Sequence, residues 1–524
     1  MTAPATGPTS ADYDVLIIGG GINGAGVARD AVGRGYSVCL CEMGDFASAT
    51  SSASTKLFHG GLRYLEYLEL RLVGEALRER EVLLRNMPHI AWPMRFVLPY
   101  DPAMRFDGST PVSRFLSVLM PWAKGTRPAW LVRLGLFLYD TLDRNRTLPA
   151  TRSLDLTRDP AGEPLKPSLK KAFEYSDGWV DDARLVILNL RDAEDRGARI
   201  ATRTRVDRSV WRDGLWHVDL TGPKGTETIT ARTIVNASGP WVDHVLRDVF
   251  GQNDAHNIRL VRGSHIVVPK KFDHDRAYFF QNQDGRIIFA IPYQHDYTLI
   301  GTTDEDHPDL ATKPQITDAE VAYLCDMASQ YFAEPVTPKD VVWTYSGVRP
   351  LYDDNASAAA AATRDYVVRP AQDGRLLNIF GGKLTTYRKL SASVVAQIEG
   401  TLGPKVPAWT HDAPLPGGDF DAADRDGLID RLSNQFPFLA RDVIGRLVTC
   451  YGTLVPKVLA DAGSEPDLGQ HFGAGLYEAE VRYLIDREWA STAEDVLYRR
   501  TKLGLRLDDA QKAALADYMA GSKH

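Results

Sequence analysis

Three glycines near the N-terminus have the spacing that binds a dinucleotide. Gly19, Gly21 and Gly24 directly follow the apolar run 15–18, which is short enough for a buried parallel strand. The first glycine permits a tight turn, the second lets backbone approach a pyrophosphate, and the third lets the next helix pack closely. Glu42 ends the following strand, where a carboxylate can bind a ribose hydroxyl. The sequence therefore predicts a dinucleotide site here.

A second group of residues that could bind a cofactor or take part in a reaction lies in the segment 45–65. Residues 49–56 are rich in Ala, Ser and Thr, so they could hydrogen-bond cofactor phosphates, the alternative being a flexible linker. His59 is followed by Gly60 and Gly61, which allow the backbone to approach a flat or bulky group. The strand 376–380 leads into Gly381 and Gly382 at the start of a helix, a second place where backbone N–H groups can face a ligand.

The elements that must position these residues form three parts. Alternating segments at 264–269, 286–293 and 297–302 predict an antiparallel sheet beside the nucleotide-binding domain, and helical patterns follow residue 419. We expect residues 1–12 to be a disordered lead-in with no signal-peptide pattern. The predicted organisation assigns nucleotide-binding segments to 13–66, 170–245 and 340–401, β-rich substrate segments to 67–169 and 246–339, a linker to 402–418 and a helical domain to 419–524.

Composition narrows the class of protein. The chain has 524 residues and a formal net charge of −7, which argues against a nucleic-acid partner. Its four cysteines show no metal-binding spacing and fit a reducing cytoplasm. No apolar window reaches transmembrane length, so any membrane contact is expected to be peripheral. The aromatic run 130–139 reads as a core helix or, alternatively, as an amphipathic surface element that touches lipid.

Several motifs together resemble one family. Residues 19–24, 49–56, 59–65, 346–350 and 381–388, with 173–177 and 179–184, are similar to motifs of the FAD-dependent, quinone-linked glycerol-3-phosphate dehydrogenases. The resemblance covers nearly the whole chain, although the segment 99–127 is longer than expected for the family. It implies an α/β fold of the D-amino-acid-oxidase type: a Rossmann-like FAD-binding domain, an antiparallel β-rich substrate domain and a C-terminal all-helical domain.

The resemblance also implies an activity. FAD would oxidise sn-glycerol 3-phosphate to dihydroxyacetone phosphate, and electrons would pass to a membrane quinone. The protein would be attached to the lipid surface on the cytoplasmic face of the bacterial inner membrane, with a homodimer left open. The alternatives are an oxidase of the same substrate that reduces oxygen, an amine or amino-acid oxidase on the same fold, and a flavin-binding module without turnover.

Under this resemblance, each candidate residue receives a role. His59 is the expected base for the hydroxyl proton because an ordinary histidine titrates near working pH, with Arg349 and His265 as the other candidates. A phosphate dianion needs cations, and we assign its binding to Arg63, Tyr64, Arg349, Arg364 and Lys383. The residues expected to bind the cofactor are Gly19, Gly21, Asn23, Gly24, Glu42, Thr50, Ser51, Ser52, Ser54, Lys56, Leu57, Val206, Gly239, Gly382, Lys383, Leu384 and Thr385. No metal is expected.

Overall fold

The computed structural model describes residues 11–67, 69–101, 129–142, 147–282, 286–353, 366–460 and 462–521, without the side chains of Arg63 and Glu66. The predicted lead-in up to residue 10, most of the segment 99–127, and Arg364 therefore lie outside the described residues. Asp12, at the end of the predicted lead-in, is ordered because its carboxylate accepts hydrogen bonds from Thr230 at 2.7 and 2.8 Å.

The described strands and helices, in chain order, are as follows. The strands are β1 Tyr13–Ile18, β2 Val38–Cys41, β3 Leu57–Phe58, β4 Ala91–Pro99, β5 Arg152–Asp155, β6 Lys171–Val180, β7 Arg199–Ala201, β8 Arg205–Arg212, β9 Leu215–Gly222, β10 Gly225–Asn236, β11 Ile258–Pro269, β12 Ala277–Gln281, β13 Ile287–Tyr293, β14 Tyr297–Gly301, β15 Glu305–Asp306, β16 Trp343–Tyr352, β17 Val367–Ala371, β18 Leu376–Phe380, β19 His471–Gly473 and β20 Leu476–Tyr477. The α-helices are α1 Ile22–Gly33, α2 Leu70–Asn86, α3 Ala129–Leu142, α4 Asp182–Asp195, α5 Val242–Asp248, α6 Asp318–Ser329, α7 Tyr387–Leu402, α8 Arg425–Gln435, α9 Arg441–Tyr451, α10 Val455–Val458, α11 Glu478–Glu488 and α12 Asp509–Gly521.

The first sheet carries the glycine turn. Its central strands run β18-β10-β1-β2-β7 and pair in parallel, with β17 antiparallel to β18 at one edge. Successive side chains of a strand face opposite sides, so Val15 and Ile17 pack in the core that contains α1, α4 and α7. Leu16 and Ile18 pack on the other face, in the core that contains β9 and α5. This layered arrangement confirms the predicted α/β fold.

The second sheet forms the other wall of the site. Among the described residues its path is β15-β11-β14-β13-β12-β4-β6-β3, with β16 on β11 and β5 on β6. The predicted boundaries are corrected here: β3, β6 and β16 were assigned to the nucleotide-binding segments 13–66, 170–245 and 340–401, yet all three pair within the second sheet. The chain changes sheet within each of these segments, and pairing between strands that are far apart in the sequence decides where.

The C-terminal helices have their own apolar core and an added hairpin, β19–β20. Buried ion pairs join them to the first sheet. Arg500 donates to both oxygens of Asp45 at 2.6 and 2.8 Å, and Arg184 of α4 pairs with Glu488 of α11. The predicted linker 402–418 is packed against the body, since Leu415 is buried and Arg29 lies 4.8 Å from the Trp409 ring centre.

Candidate active site

The turn between β1 and α1 has the geometry that its glycines predict. Gly19 has a φ of +108°, and a Cβ there would lie 2.6 Å from the Ala237 carbonyl oxygen. A Cβ at Gly24 would lie 2.0 Å from the Gly19 oxygen. The helix can therefore pack this closely on the turn only because residue 24 has no side chain. The Ile22 N–H donates to Ser51 Oγ at 3.0 Å. The loop 49–56 therefore lies against the N-terminus of α1.

Glu42 lies at the end of β2, beside this turn. Its carboxylate accepts hydrogen bonds from the N–H groups of Gly20 at 2.8 Å and Gly44 at 2.7 Å. Burial raises the pKa of Glu42, while these two backbone donors oppose that shift. The two hydrogen bonds fix the direction of the carboxylate at the rim of a cavity that the glycine turn also lines.

Two cavities form one elongated site, because they share the lining residues Ile22, Thr50, Ser51, Pro350, Gly381 and Gly382. The nucleotide cavity has a volume of about 360 Å³, and the reaction cavity has a volume of about 350 Å³. The nucleotide cavity is lined by the predicted residues Gly19, Gly21, Asn23, Glu42, Thr50, Ser51, Val206, Gly239 and Gly382. The reaction cavity is lined by the predicted residues Thr50, Ser51, Ser54, Leu57, His59, Tyr64, Arg349, Gly382, Lys383, Leu384 and Thr385.

The residues present fit a flavin dinucleotide. The glycine turn and the N-terminus of α1 offer N–H groups to phosphates, and Gly381 and Gly382 have φ values of +71° and +106°. Asn23 donates to the Gly381 carbonyl at 3.1 Å. Its Oδ1 is buried and has no hydrogen-bond partner within the described chain, so an acceptor remains there for a ligand donor.

His59 enters the reaction cavity from the loop after β3. Its backbone N–H donates to Thr385 Oγ1 at 3.2 Å, so the loop is fixed to the turn before α7. Lys383, on the same turn, lies 3.8 Å from the centre of the Tyr64 ring. The structure thus brings a histidine, a lysine and a tyrosine from two distant segments to one cavity.

Arg349 reaches the same cavity from β16. Its guanidinium donates to Thr302 Oγ1 at 2.9 Å and to the Thr303 carbonyl at 3.3 Å, and it forms an ion pair with Asp304. Asp304 also lines the cavity and was not predicted. It belongs to no glycine or hydroxyl motif, and only the fold shows that it lies beside Arg349.

Several predicted cofactor residues have structural partners instead. Lys56 is buried in an ion pair with Asp182 at 2.7 Å, and Ser54 donates to the same carboxylate at 2.7 Å. The Ser52 hydroxyl donates to the Ala49 carbonyl at 3.5 Å, and the Ser52 carbonyl accepts from Lys56 Nζ at 3.1 Å. Lys56, Ser52 and Gly24 line neither cavity. Lys56 and Ser52 are therefore corrected from ligand contacts to structural ones, whereas Gly24 packs closely against Gly19, as its position in the glycine motif predicts.

His265 is also corrected, because it does not line the reaction cavity. Its ring stacks on Tyr345 with centres 4.7 Å apart, and Nε2 lies 3.0 Å from Thr55 Oγ1. Burial, followed by the charge of Arg349, holds the pKa of His265 well below its usual value. Thr55, which His265 contacts, does line the cavity. The side chain of Arg63 and all of Arg364 lie outside the described residues, so their predicted roles stay predictions.

The second sheet adds apolar lining that no motif indicated. Tyr175, Phe279 and Phe289 line the reaction cavity from β6, β12 and β13. Their strands were visible from alternation, but the face that each presents depends on pairing register. Within the described ranges, no group of His, Cys, Asp or Glu could hold a metal ion. No described helix is both long enough and apolar enough to cross a membrane.

Comparison with known proteins gives two family matches. The family described as FAD dependent oxidoreductase matches residues 14–388, and the C-terminal domain of alpha-glycerophosphate oxidase matches residues 408–521. A solved structure of a glycerol-3-phosphate dehydrogenase from Bacillus halodurans, complexed with FAD, is 27% identical with a TM-score of 0.72. That comparison covers 97% of this chain and 94% of the other.

Characterised relatives match over nearly the full length. A D-erythritol 1-phosphate dehydrogenase from Brucella abortus is 48% identical, covering 96% of this chain and 97% of the relative. A glycerol-3-phosphate dehydrogenase from Pseudomonas aeruginosa is 46% identical, covering 98% and 96%. The aerobic glycerol-3-phosphate dehydrogenase from Escherichia coli is 44% identical, covering 97% of each chain.

Proposed function

This chain belongs to the FAD-dependent glycerol-3-phosphate dehydrogenase family, and we propose that it oxidises the secondary alcohol of sn-glycerol 3-phosphate to the ketone of dihydroxyacetone phosphate. The observation that carries the proposal is the composition of the reaction cavity. A histidine, an arginine and a lysine meet there at the end of a dinucleotide site. This combination suits a phosphorylated alcohol, which needs a base for its hydroxyl group and cations for its phosphate.

FAD is the cofactor, and when bound its flavin accepts a hydride from the alcohol carbon. The chain's own residues would hold it: the glycine turn and the N-terminus of α1 would bind the pyrophosphate, and Glu42 would bind the adenosine ribose. Thr50 and Ser51 line both cavities and would offer hydroxyl groups to the cofactor. Gly382 and Leu384 would offer backbone N–H groups to the flavin.

His59 takes the hydroxyl proton as the carbon loses its hydride. The substrate phosphate is bound by Arg349 and Lys383, with the Tyr64 hydroxyl as a further contact; Arg63 and Arg364 complete this set in the prediction from sequence. Asp304 offsets part of the Arg349 charge. The aromatic side chains of the second sheet exclude water around the reacting carbon.

The test is an absorbance spectrum of the purified holoenzyme before and after anaerobic addition of sn-glycerol 3-phosphate. We expect the oxidised flavin bands to bleach and dihydroxyacetone phosphate to form in equal amount. Glycerol at the same concentration serves as the control and should reduce the flavin far more slowly. An unchanged spectrum with the phosphorylated substrate would overturn the proposal.

We infer that the electrons pass to a quinone at the cytoplasmic face of the bacterial inner membrane. The supporting feature is α3, whose Trp130, Leu134, Phe137 and Leu138 are exposed. Their spacing places them along one helix face, while Leu136 and Tyr139 of the same helix are buried. An exposed apolar helix face suits peripheral contact with lipid.

Flotation with anionic phospholipid vesicles tests this contact. The parent should float with the vesicles, and the double variant Trp130→Ser/Phe137→Ser should remain in solution with its FAD. Val342→Ser, at an exposed apolar residue on another part of the surface, should float like the parent. Equal flotation of all three would contradict contact through α3. Stoichiometric peroxide formation without quinone would instead favour an oxidase.

D-Erythritol 1-phosphate is a second candidate substrate, because the relative with that activity in its name is 48% identical over nearly the full length. Both substrates are phosphorylated polyols and differ by one carbon, so the same base and cations could serve either. Parallel measurements of kcat/KM decide between them. A value at least ten-fold higher for the four-carbon substrate would replace glycerol 3-phosphate as the assigned substrate.

A further inference from the structure

The loop that carries His59 is held by a buried hydrogen-bond chain at the next residue. The Gly60 N–H donates to the Tyr139 hydroxyl oxygen at 2.8 Å. The Tyr139 hydroxyl donates in turn to Asp177 Oδ1 at 2.7 Å. Asp177 accepts a further bond from Arg80 Nη1 at 2.8 Å. The chain therefore runs from the backbone beside His59 to a buried ion pair.

The direction of this chain follows from its charges. A hydroxyl group has one proton, and the carboxylate of Asp177 is a stronger acceptor than any neutral group. The Tyr139 proton therefore points at Asp177, which leaves a lone pair of the hydroxyl for the Gly60 N–H. The distance from Gly60 N to Asp177 Oδ1 is 3.4 Å, so the tyrosine provides the shorter contact.

The chain is buried and is built from three separate elements. Tyr139, Asp177 and Arg80 are each 2% exposed, and they come from α3, β6 and α2. Burial raises the pKa of Asp177, which Arg80 and the Tyr139 hydroxyl oppose. Removing one member of such a chain leaves a polar group without its partner, away from water. Each of the three elements thus helps to fix the position of Gly60.

Contact at Gly60 is close. A Cβ at this position would lie 2.6 Å from both the Tyr139 oxygen and Leu77 Cδ2, so the backbone approaches the tyrosine within a distance that only glycine allows. His59 itself is fixed on the other side by Thr385. The peptide bonds on both sides of His59 are therefore anchored, and these two anchors set the direction of its Cα–Cβ bond.

We propose that Tyr139 is a positioning residue for the reaction: through the Gly60 N–H, it fixes the backbone from which the His59 imidazole enters the reaction cavity. This rests on the proposed function of His59 as the base. Tyr139 does not line the cavity, so it acts through Gly60 and does not contact the substrate. Small displacements of a base cost large factors in rate, and a rigid anchor prevents them.

Tyr139→Phe removes only the hydroxyl oxygen. In anaerobic stopped-flow experiments with the holoenzyme, we expect the limiting rate constant of flavin reduction to fall about ten-fold or more. The substrate concentration at half-saturation and the FAD content should change less than two-fold. Amide hydrogen exchange in a peptide that contains Gly60 should become faster. Asp177 belongs to the same chain but itself lines the reaction cavity, so only Tyr139→Phe isolates the anchor.

Tyr278→Phe is the matched control. Tyr278, on β12, is also fully buried. Its hydroxyl donates to the Ala161 carbonyl at 2.7 Å and lies 2.8 Å from His274 Nε2, and neither partner belongs to the loop that carries His59. This variant should lose comparable stability but reduce its flavin at the parent's rate. If it slows flavin reduction as much as Tyr139→Phe does, or if Tyr139→Phe keeps the parent's rate, the proposal is wrong.

Failure of the proposed function gives a different result. If the parent's flavin is reduced by neither polyol phosphate, the assigned reaction is wrong, whatever the variants do. The exchange experiment still tests the anchor in that case. Unchanged exchange at Gly60 in Tyr139→Phe would overturn the positioning role even in an active enzyme.

Discussion

At the scale of single residues, His59 carries the clearest prediction. If it takes the hydroxyl proton, His59→Gln keeps hydrogen bonding but loses the base, and flavin reduction should slow about a hundred-fold or more. Activity of the parent should rise with pH as the base loses its proton. FAD content and substrate binding should change little. The measurement is anaerobic stopped-flow reduction with substrate deuterated at the carbinol carbon.

A distant histidine provides the control for this experiment. His217 contacts Arg212 on β8 and lines neither cavity, so His217→Gln should reduce its flavin at the parent's rate. If His59→Gln also does so, with an unchanged isotope effect, His59 is not the base. Arg349 would then become the direct candidate, because it lines the reaction cavity and His265 does not.

Arg349 is predicted to bind the phosphate. A charge-assisted hydrogen bond contributes roughly 1.5–3 kcal/mol, so Arg349→Ala should lower kcat/KM for glycerol 3-phosphate about ten-fold or more. Reduction by glycerol, which has no phosphate, should change little. Arg259→Ala is the matched control, since Arg259 is similarly exposed and paired with Asp306 but lines neither cavity. Equal losses with both substrates would assign Arg349 to chemistry or folding.

Sequence identified the residues whose roles depend on local spacing. Gly19, Gly21 and Glu42 were predicted from the order strand, turn, helix and strand, and they line the nucleotide cavity. Lys56 was misassigned because its partner, Asp182, lies 126 positions away. A polar residue in a cofactor loop can contact a ligand or a buried carboxylate, and spacing does not distinguish the two. Asp304 was missed for the same reason.

At the scale of elements, the β1–α1 turn should tolerate no side chain at its first glycine. Gly19→Ala places a Cβ 2.6 Å from the Ala237 carbonyl oxygen at a φ of +108°, so we expect loss of FAD binding and a clearly lower melting temperature. Gly225 separates the cost of the backbone angle from the cost of close packing. Its φ is +109°, but nothing would lie within 4 Å of a Cβ added there. Gly225→Ala should retain FAD and lose only about 1 kcal/mol of stability.

Flavin absorbance after gel filtration and a thermal melt measure both effects. If the two alanine variants retain FAD equally well, close packing at the turn does not control binding.

The strands themselves were largely predictable, because apolar runs and alternation are local. Their sheet membership was not: β3, β6 and β16 join the second sheet through pairings such as Leu57 with Trp179 and Ser264 with Ser346.

At the scale of the whole molecule, His89 makes the folding stability depend on pH. It lies at the junction between the two-sheet part of the molecule and the C-terminal helical domain. It is fully buried beside Gly452 and Phe420. Burial, with the charges of Arg184 and Arg425, lowers its pKa from 6.5 to about 3. The unfolded chain therefore binds a proton below pH 6.5 that the folded chain does not, so folding stability falls as pH drops through this range.

By this linkage, His89 lowers the free energy of unfolding by about 2 kcal/mol when the pH falls from 7 to 5. Urea unfolding of the parent and of His89→Leu at the two pH values measures it. The variant should lose about 2 kcal/mol less than the parent over that interval. Parallel losses in the two proteins would show that His89 remains neutral in the unfolded chain or is protonated in the fold.

The division of the nucleotide cavity among distant segments has a consequence for synthesis. Gly21, Val206 and Gly382 all line it, and the ribosome, at roughly 5–20 residues per second, produces Gly382 about 20–70 s after Gly21. During that interval β1 and β2 have been synthesised but β10 and β18 have not. The edge of β1 that pairs with β10 in the folded protein is therefore unpaired. Cofactor loading must therefore wait until the segment with Gly382 has been made, and the nascent N-terminal half is the stage at which a chaperone is most needed.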